Sequence, residues 1–96
     1  MKSLNGYHRT LCSWLSQLGI AYVEEYSVEP YSLDIFIPEI NLGVEIDGPS
    51  HSPKKDALRD KKILEEYEVK IIRIPVGTKK NYALEMILGP EANELS

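Results

Sequence analysis

Apolar residues recur in two rhythms along this chain. Leu4, Tyr7, Leu11, Trp14, Leu15 and Leu18 fall at helical spacing, with Ser3 or Asn5 as the cap and Gly19 as the stop. Residues 21–28 alternate as a strand, with Tyr22, Glu24, Tyr26 and Val28 on one face, and Glu29-Pro30 breaks it. The alternation then sharpens. Leu33, Ile35 and Ile37 alternate with Ser32, Asp34 and Phe36, and Leu42, Val44 and Ile46 alternate with Gly43, Glu45 and Asp47. Residues 48–53 form a loop, where Ser52 followed by Pro53 opens a helix that runs to about Tyr67. Ala57, Leu58, Leu64 and Tyr67 are its expected inner side. Residues 69–76 make the most apolar strand, expected at the sheet centre. Thr78 caps a last helix over residues 81–88, which Gly89-Pro90 ends.

The order is α-β-β-β-α-β-α. The first three strands form an antiparallel meander, and the strand-helix-strand step that follows is a parallel, right-handed crossover. The pattern predicts an α/β fold, a mixed four-stranded sheet flanked by helices. It forms a single domain over residues 1–90, with 91–96 a frayed tail.

The alternation also sorts the acids. With Pro38 and Asn41 closing the turn, Asp34 falls directly across from Glu45, where Cβ atoms are about 5 Å apart and like charges repel. A register slip of two residues keeps them on one face; a slip of one does not. Asp47 lies one pleat further along. Three carboxylates on one face call for a cation between them, and a hard divalent ion with oxygen ligands, Mg²⁺ or Mn²⁺, is the simplest. His51 follows Asp47 by four residues, on a loop at a strand end. Its ordinary pKa suits a general base that takes a proton from an attacking water. Asp60, on the next helix, can orient it. These are the parts of metal-assisted hydrolysis. Arg73 faces away from Ile72 and Ile74, toward a phosphate or carboxylate or into a strand-edge salt bridge.

Composition narrows this further. At 43% hydrophobic and 27% charged, 96 residues make one small globular domain. There is no long apolar run for a membrane span and no signal-peptide pattern. The one cysteine, Cys12, beside the first helix's stripe, reads as a buried thiol rather than a nucleophile. It rules out an internal disulfide and a Cys-based zinc site, and it fits a reducing cytoplasm. His8, also beside that stripe, reads as a partly exposed helix residue. The net charge of −4 argues against a free-standing nucleic-acid binder. Against that, Lys54, Lys55, Arg59, Lys61 and Lys62 crowd one segment, as a solvated helix face or a phosphate contact.

The element order, with Asp34 on the second strand and E-x-D (Glu45, Asp47) on the third, resembles the PD-(D/E)XK nuclease superfamily. V-E-I-D-G-P-S-H, then R-D (Arg59, Asp60) and I-I-R-I (residues 71–74), is similar to its branch near very-short-patch-repair endonucleases and phage homing endonucleases with a Glu, Asp, His, Asp signature. The resemblance spans residues 7–76. It implies a restriction-endonuclease-like fold and a metal-dependent DNA endonuclease acting on double-stranded DNA in a bacterial or phage-infected cell. Asp34 would be the superfamily aspartate, Glu45 the second acidic ligand and His51 the catalytic histidine. Glu24 or Glu25 would be the outlying glutamate, and Asp60 the last acid. The superfamily lysine is absent, because Asp47 stands there, and Leu33 replaces the proline before Asp34. The repair enzymes' structural zinc is excluded by the single cysteine. The stretch around G-P-S-H is also similar to the RAP domain, which implies an RNA-associated module instead. In the nuclease reading, a homodimer or a further DNA-recognition segment of a longer parent supplies target recognition.

Overall fold

The first rhythm is realised as helix α1, Asn5–Gln17, in a computed structural model that describes residues 5–49 and 52–89. Gly19 ends it as expected. At φ +72° it occupies the left-handed region open to glycine, its N–H bonds Ser16 O, and the Ile20 N–H bonds Leu15 O. That pair of bonds satisfies the carbonyls a helix end leaves free. Asn5 is the first helical residue rather than a cap, and Ser3 lies outside the described residues.

Strands β1 (Val23–Val28), β2 (Tyr31–Ile37) and β3 (Leu42–Asp47) form the antiparallel meander. Helix α2 (Pro53–Tyr67) crosses to β4 (Lys70–Pro75), which pairs parallel to β3, and α3 (Lys80–Leu88) follows. The sheet order is β1-β2-β3-β4, so β4 is an edge and not the centre. Its apolar character has another cause: Ile72 and Ile74 pack in one core and Ile71 in the other, and a strand covered on both faces reads apolar wherever it sits.

The cores are separate. Ile35, Ile37, Leu42, Val44, Ile46 and Ile74 pack with Leu11, Cys12 and Leu15 of α1 and with Ala83, Leu84 and Ile87 of α3. Val28, Leu33, Phe36 and Val69 pack with Ile63 of α2. Leu33 and Ile35 thus lie in opposite cores although simple alternation puts them together. The register does not slip there, since Glu24 pairs with Ile35 and Tyr26 with Leu33; the facing changes at Glu25. Glu25 takes φ 49°, which turns the strand over, so Tyr26 stacks on Phe36 at 4.2 Å instead of following Glu24. The same turn overrules the expected grouping of Tyr22, Glu24, Tyr26 and Val28.

Two further expectations fail for physical reasons. The inner side of α2 is Asp56, Arg59, Asp60 and Ile63, at helical spacing, while Leu58 and Leu64 are 59% and 50% exposed and Ala57 and Tyr67 also face solvent. Ionic contacts described below hold the charged side inward. Thr78 does not cap α3; its hydroxyl donates to Pro75 O at 2.6 Å, and Lys79 is the cap.

At Gly43 a Cβ would meet Leu33 Cδ1 at 2.7 Å and Ile71 Cδ1 at 2.8 Å. Gly43→Ala is expected to destabilise the fold by about 1 kcal/mol, the low end of overpacking costs because both atoms are terminal methyls. Denaturant unfolding measures it, and an unchanged midpoint would contradict this packing.

Candidate active site at the β2–β3 splay

The β2–β3 ladder holds the register the turn predicts: Ile37 pairs with Leu42, Phe36 with Gly43 and Ile35 with Val44. No pairing is recorded beyond Ile35, and two carboxylates take over. Glu45 Oε2 accepts the Asp34 N–H, and Asp34 Oδ2 accepts the Ile46 N–H at 2.9 Å. Each acid satisfies an amide of the facing strand that the ladder no longer reaches. Asp34 and Glu45 are 5% and 8% exposed.

Glu45 has a cationic partner as well. Its Oε1 accepts from Arg59 Nη1 at 2.7 Å, and Arg59 Nη2 donates to Ser32 O at 2.7 Å. The guanidinium lies 5.2 Å over the Tyr31 ring. Burial pushes the Glu45 carboxyl above its ordinary range, the Asp34 charge adds to that, and the Asp34 amide and Arg59 oppose it. A raised acid pKa binds protons more readily in the folded state. Its stabilising effect is present below the unfolded value and is lost as pH rises through the folded one. Glu45→Gln is therefore expected to flatten the stability–pH curve above about pH 4.5 relative to wild type. Parallel curves from unfolding across pH would contradict a buried, titrating Glu45.

Asp47 and Asp60 belong to a different set of contacts. Arg73 bonds Asp60 through two nitrogens, Nε to Oδ2 at 2.8 Å and Nη2 to Oδ1 at 2.7 Å, and bonds Asp47 Oδ1 at 3.0 Å. Asp56 Oδ2 lies 3.5 Å from the same guanidinium. The hydrogen bonds to Asp60 raise the Arg73 pKa further. Arg73, on the edge strand β4, thus realises the strand-edge salt bridge. Asp60 is fixed by Arg73, and His51 lies outside the described residues.

Among the described residues, the ligand atoms of Asp34, Glu45 and Asp47 do not gather within 4.8 Å of one another; those of His8, Cys12 and Glu24 do. Glu24 turns toward α1, with Oε1 3.0 Å from His8 Nε2, and Glu25 is exposed at the strand turn. His8 is buried, not partly exposed. Sequence reasoning missed Arg59 and Asp56 as site residues; the i, i+3, i+4 spacing of Asp56, Arg59 and Asp60 was the available signal.

Asp34 and Glu45 fit a hard divalent ion without Asp47. Mg²⁺ keeps several waters and takes one or two carboxylates plus substrate phosphate oxygens. On the far side of Arg59 a groove is lined by Tyr31, Lys55, Asp56, Leu58, Arg59 and Lys62. A cleft bounded by Asp47, Gly48, Pro49, Pro75 and Val76 opens where β3 and β4 end, the usual ligand position for parallel strands.

No family model matches the chain, and no curated protein is similar to it. Among solved structures, the catalytic domain of the homing endonuclease I-Bth0305I matches with a TM-score of 0.65 at 13% sequence identity, over 88% of this chain and 90% of that one. The chain therefore shares the fold of a homing endonuclease catalytic domain, a mixed four-stranded sheet with flanking helices.

Proposed function

We propose that the chain is the catalytic domain of a DNA endonuclease that hydrolyses phosphodiester bonds with Mg²⁺ or Mn²⁺. The observation that carries this reading is the buried Asp34–Glu45 pair, anchored by facing-strand amides at the point where β2 and β3 part. A solvated surface pair would need no such anchoring. Asp34 and Glu45 would hold the ion, which when bound polarises a phosphoryl oxygen and lowers the pKa of a water. Arg59 keeps Glu45 oriented. A ring nitrogen of His51 takes the proton of the attacking water. Lys55 and Lys62, in the groove beside Arg59, receive the DNA backbone. Arg73, Asp47 and Asp60 fix α2 against β3 and β4 and so set the groove's width. The likeness to a homing endonuclease domain supports the substrate class. The net charge of −4 supports target recognition by another segment or a second copy.

The test is cleavage of supercoiled plasmid with Mg²⁺. Wild type should cut and a chelator should stop it. His51→Ala should lose about 10²–10⁴-fold in rate, the range for removing a general base. A His51→Ala variant that cuts like wild type sinks the assignment. A wild type that binds RNA after chelation and never cuts DNA favours the RNA-associated reading.

A further inference from the structure

We propose a second metal site, separate from the acidic pair: His8, Cys12 and Glu24 bind one Zn²⁺ that ties α1 to the edge strand β1. The inference does not depend on the nuclease reading.

His8 and Cys12 are four residues apart on α1, so their side chains project from the same face one turn apart. Glu24 comes from β1, and the three ligand atoms lie within 4.8 Å of one another. His8 is 8% exposed and Cys12 6%. The His8 Nε2 atom is fully buried and makes no hydrogen bond, although Glu24 Oε1 is 3.0 Å away. A buried ring nitrogen beside a carboxylate oxygen, out of hydrogen-bond alignment, is an unsatisfied polar atom of the kind that bound ions explain. Donors on one tetrahedral Zn²⁺ lie roughly 3.3–3.7 Å apart, given bonds of about 2.0–2.3 Å, so small side-chain rotations suffice.

The donor set points to the ion. One imidazole, one thiol and one carboxylate suit Zn²⁺, while Mg²⁺ and Ca²⁺ prefer oxygen. The single cysteine excludes a many-cysteine zinc site but not a mixed one. Glu24 keeps 55% of its side chain exposed, so the fourth position opens to water. The carboxylate that sequence reasoning assigned to the nuclease site in one alternative thus has a role on the opposite side of the sheet.

Titrating Co²⁺ into the metal-free chain under reducing, non-chelating conditions tests this. One equivalent should produce a near-ultraviolet thiolate-to-cobalt charge-transfer band, which Zn²⁺ then displaces. Cys12→Ala should abolish the band, and Asp34→Asn should leave it. Glu24→Gln, at an exposed side chain that the fold tolerates, should weaken Co²⁺ binding by more than about tenfold, since even outer-shell partners of a metal cost 10–100-fold. A wild type without the band overturns the proposal. So does a band that survives in Cys12→Ala, or an unchanged affinity in Glu24→Gln.

Discussion

Asp34→Asn is expected to slow DNA cleavage by about 10²–10³-fold, because a Lewis-acid contact to the reacting phosphate contributes several kcal/mol and each ~1.4 kcal/mol is a factor of ten. The substitution is nearly isosteric. The amide oxygen of Asn can still accept the Ile46 N–H that Asp34 Oδ2 holds at 2.9 Å. The strands should therefore part at the same place, and unfolding should show little change. What disappears is charge, at one of two buried acids whose chemistry fits a divalent ion. A single-turnover rate with saturating Mg²⁺ separates lost chemistry from weaker ion binding. Unaltered cleavage would remove Asp34 from the reaction. A collapsed fold would instead make it a purely structural cap of the splayed strands.

The largest effect on stability should come from Arg73→Met. Arg73 is the cation shared by Asp60 and Asp47, with Asp56 alongside. Removing one partner of a buried ion pair costs about 3–5 kcal/mol, because the other charge is left without compensation. These side chains keep some solvent, 18% for Arg73 and 24% for Asp60, so screening brings the expected loss to about 2–3 kcal/mol. Arg73→Lys should lose less, since it keeps the charge but not the two-point contact with Asp60. Urea unfolding of both variants checks the order. A Met variant within about 0.5 kcal/mol of wild type, the ordinary range for a surface change, would mean that Ile63 and the Arg59 bonds to Glu45 and Ser32 hold α2 without Arg73.

How much of this was legible in the sequence depends on which force set each element. The Gly19 stop, the Ser52-Pro53 start and the turn register were readable, because each acts locally, whereas the expected cap of α3 at Thr78 was displaced to Lys79. The Asp34–Glu45 juxtaposition followed from that register. The face of α2 was not readable. Hydrophobic patterning assigns Leu58 and Leu64 to the interior, but Asp56, Arg59 and Asp60 go there, since their partners Glu45 and Arg73 wait on the sheet. Long-range pairing overruled the local stripe. The break at Glu25 was hidden for the same reason: a left-handed residue has no signal when it is not glycine, and it is sustained here by neighbours far along the chain. The grouping of Asp47 with Asp34 and Glu45 was silent about Arg73, which bonds Asp47 from the adjacent strand. His8 and Glu24 meet only once the first strand is folded against α1.

Where a divalent ion settles in solution can be read by adding trace Mn²⁺ to the ¹⁵N-labelled chain, since its paramagnetism broadens nearby amide resonances. Residues 33–35 and 44–46 should bleach first in wild type and survive in the double variant Asp34→Asn, Glu45→Gln. Intact signals at those six amides while Mn²⁺ supports cleavage would contradict the account, because the ion that drives hydrolysis would then sit somewhere else.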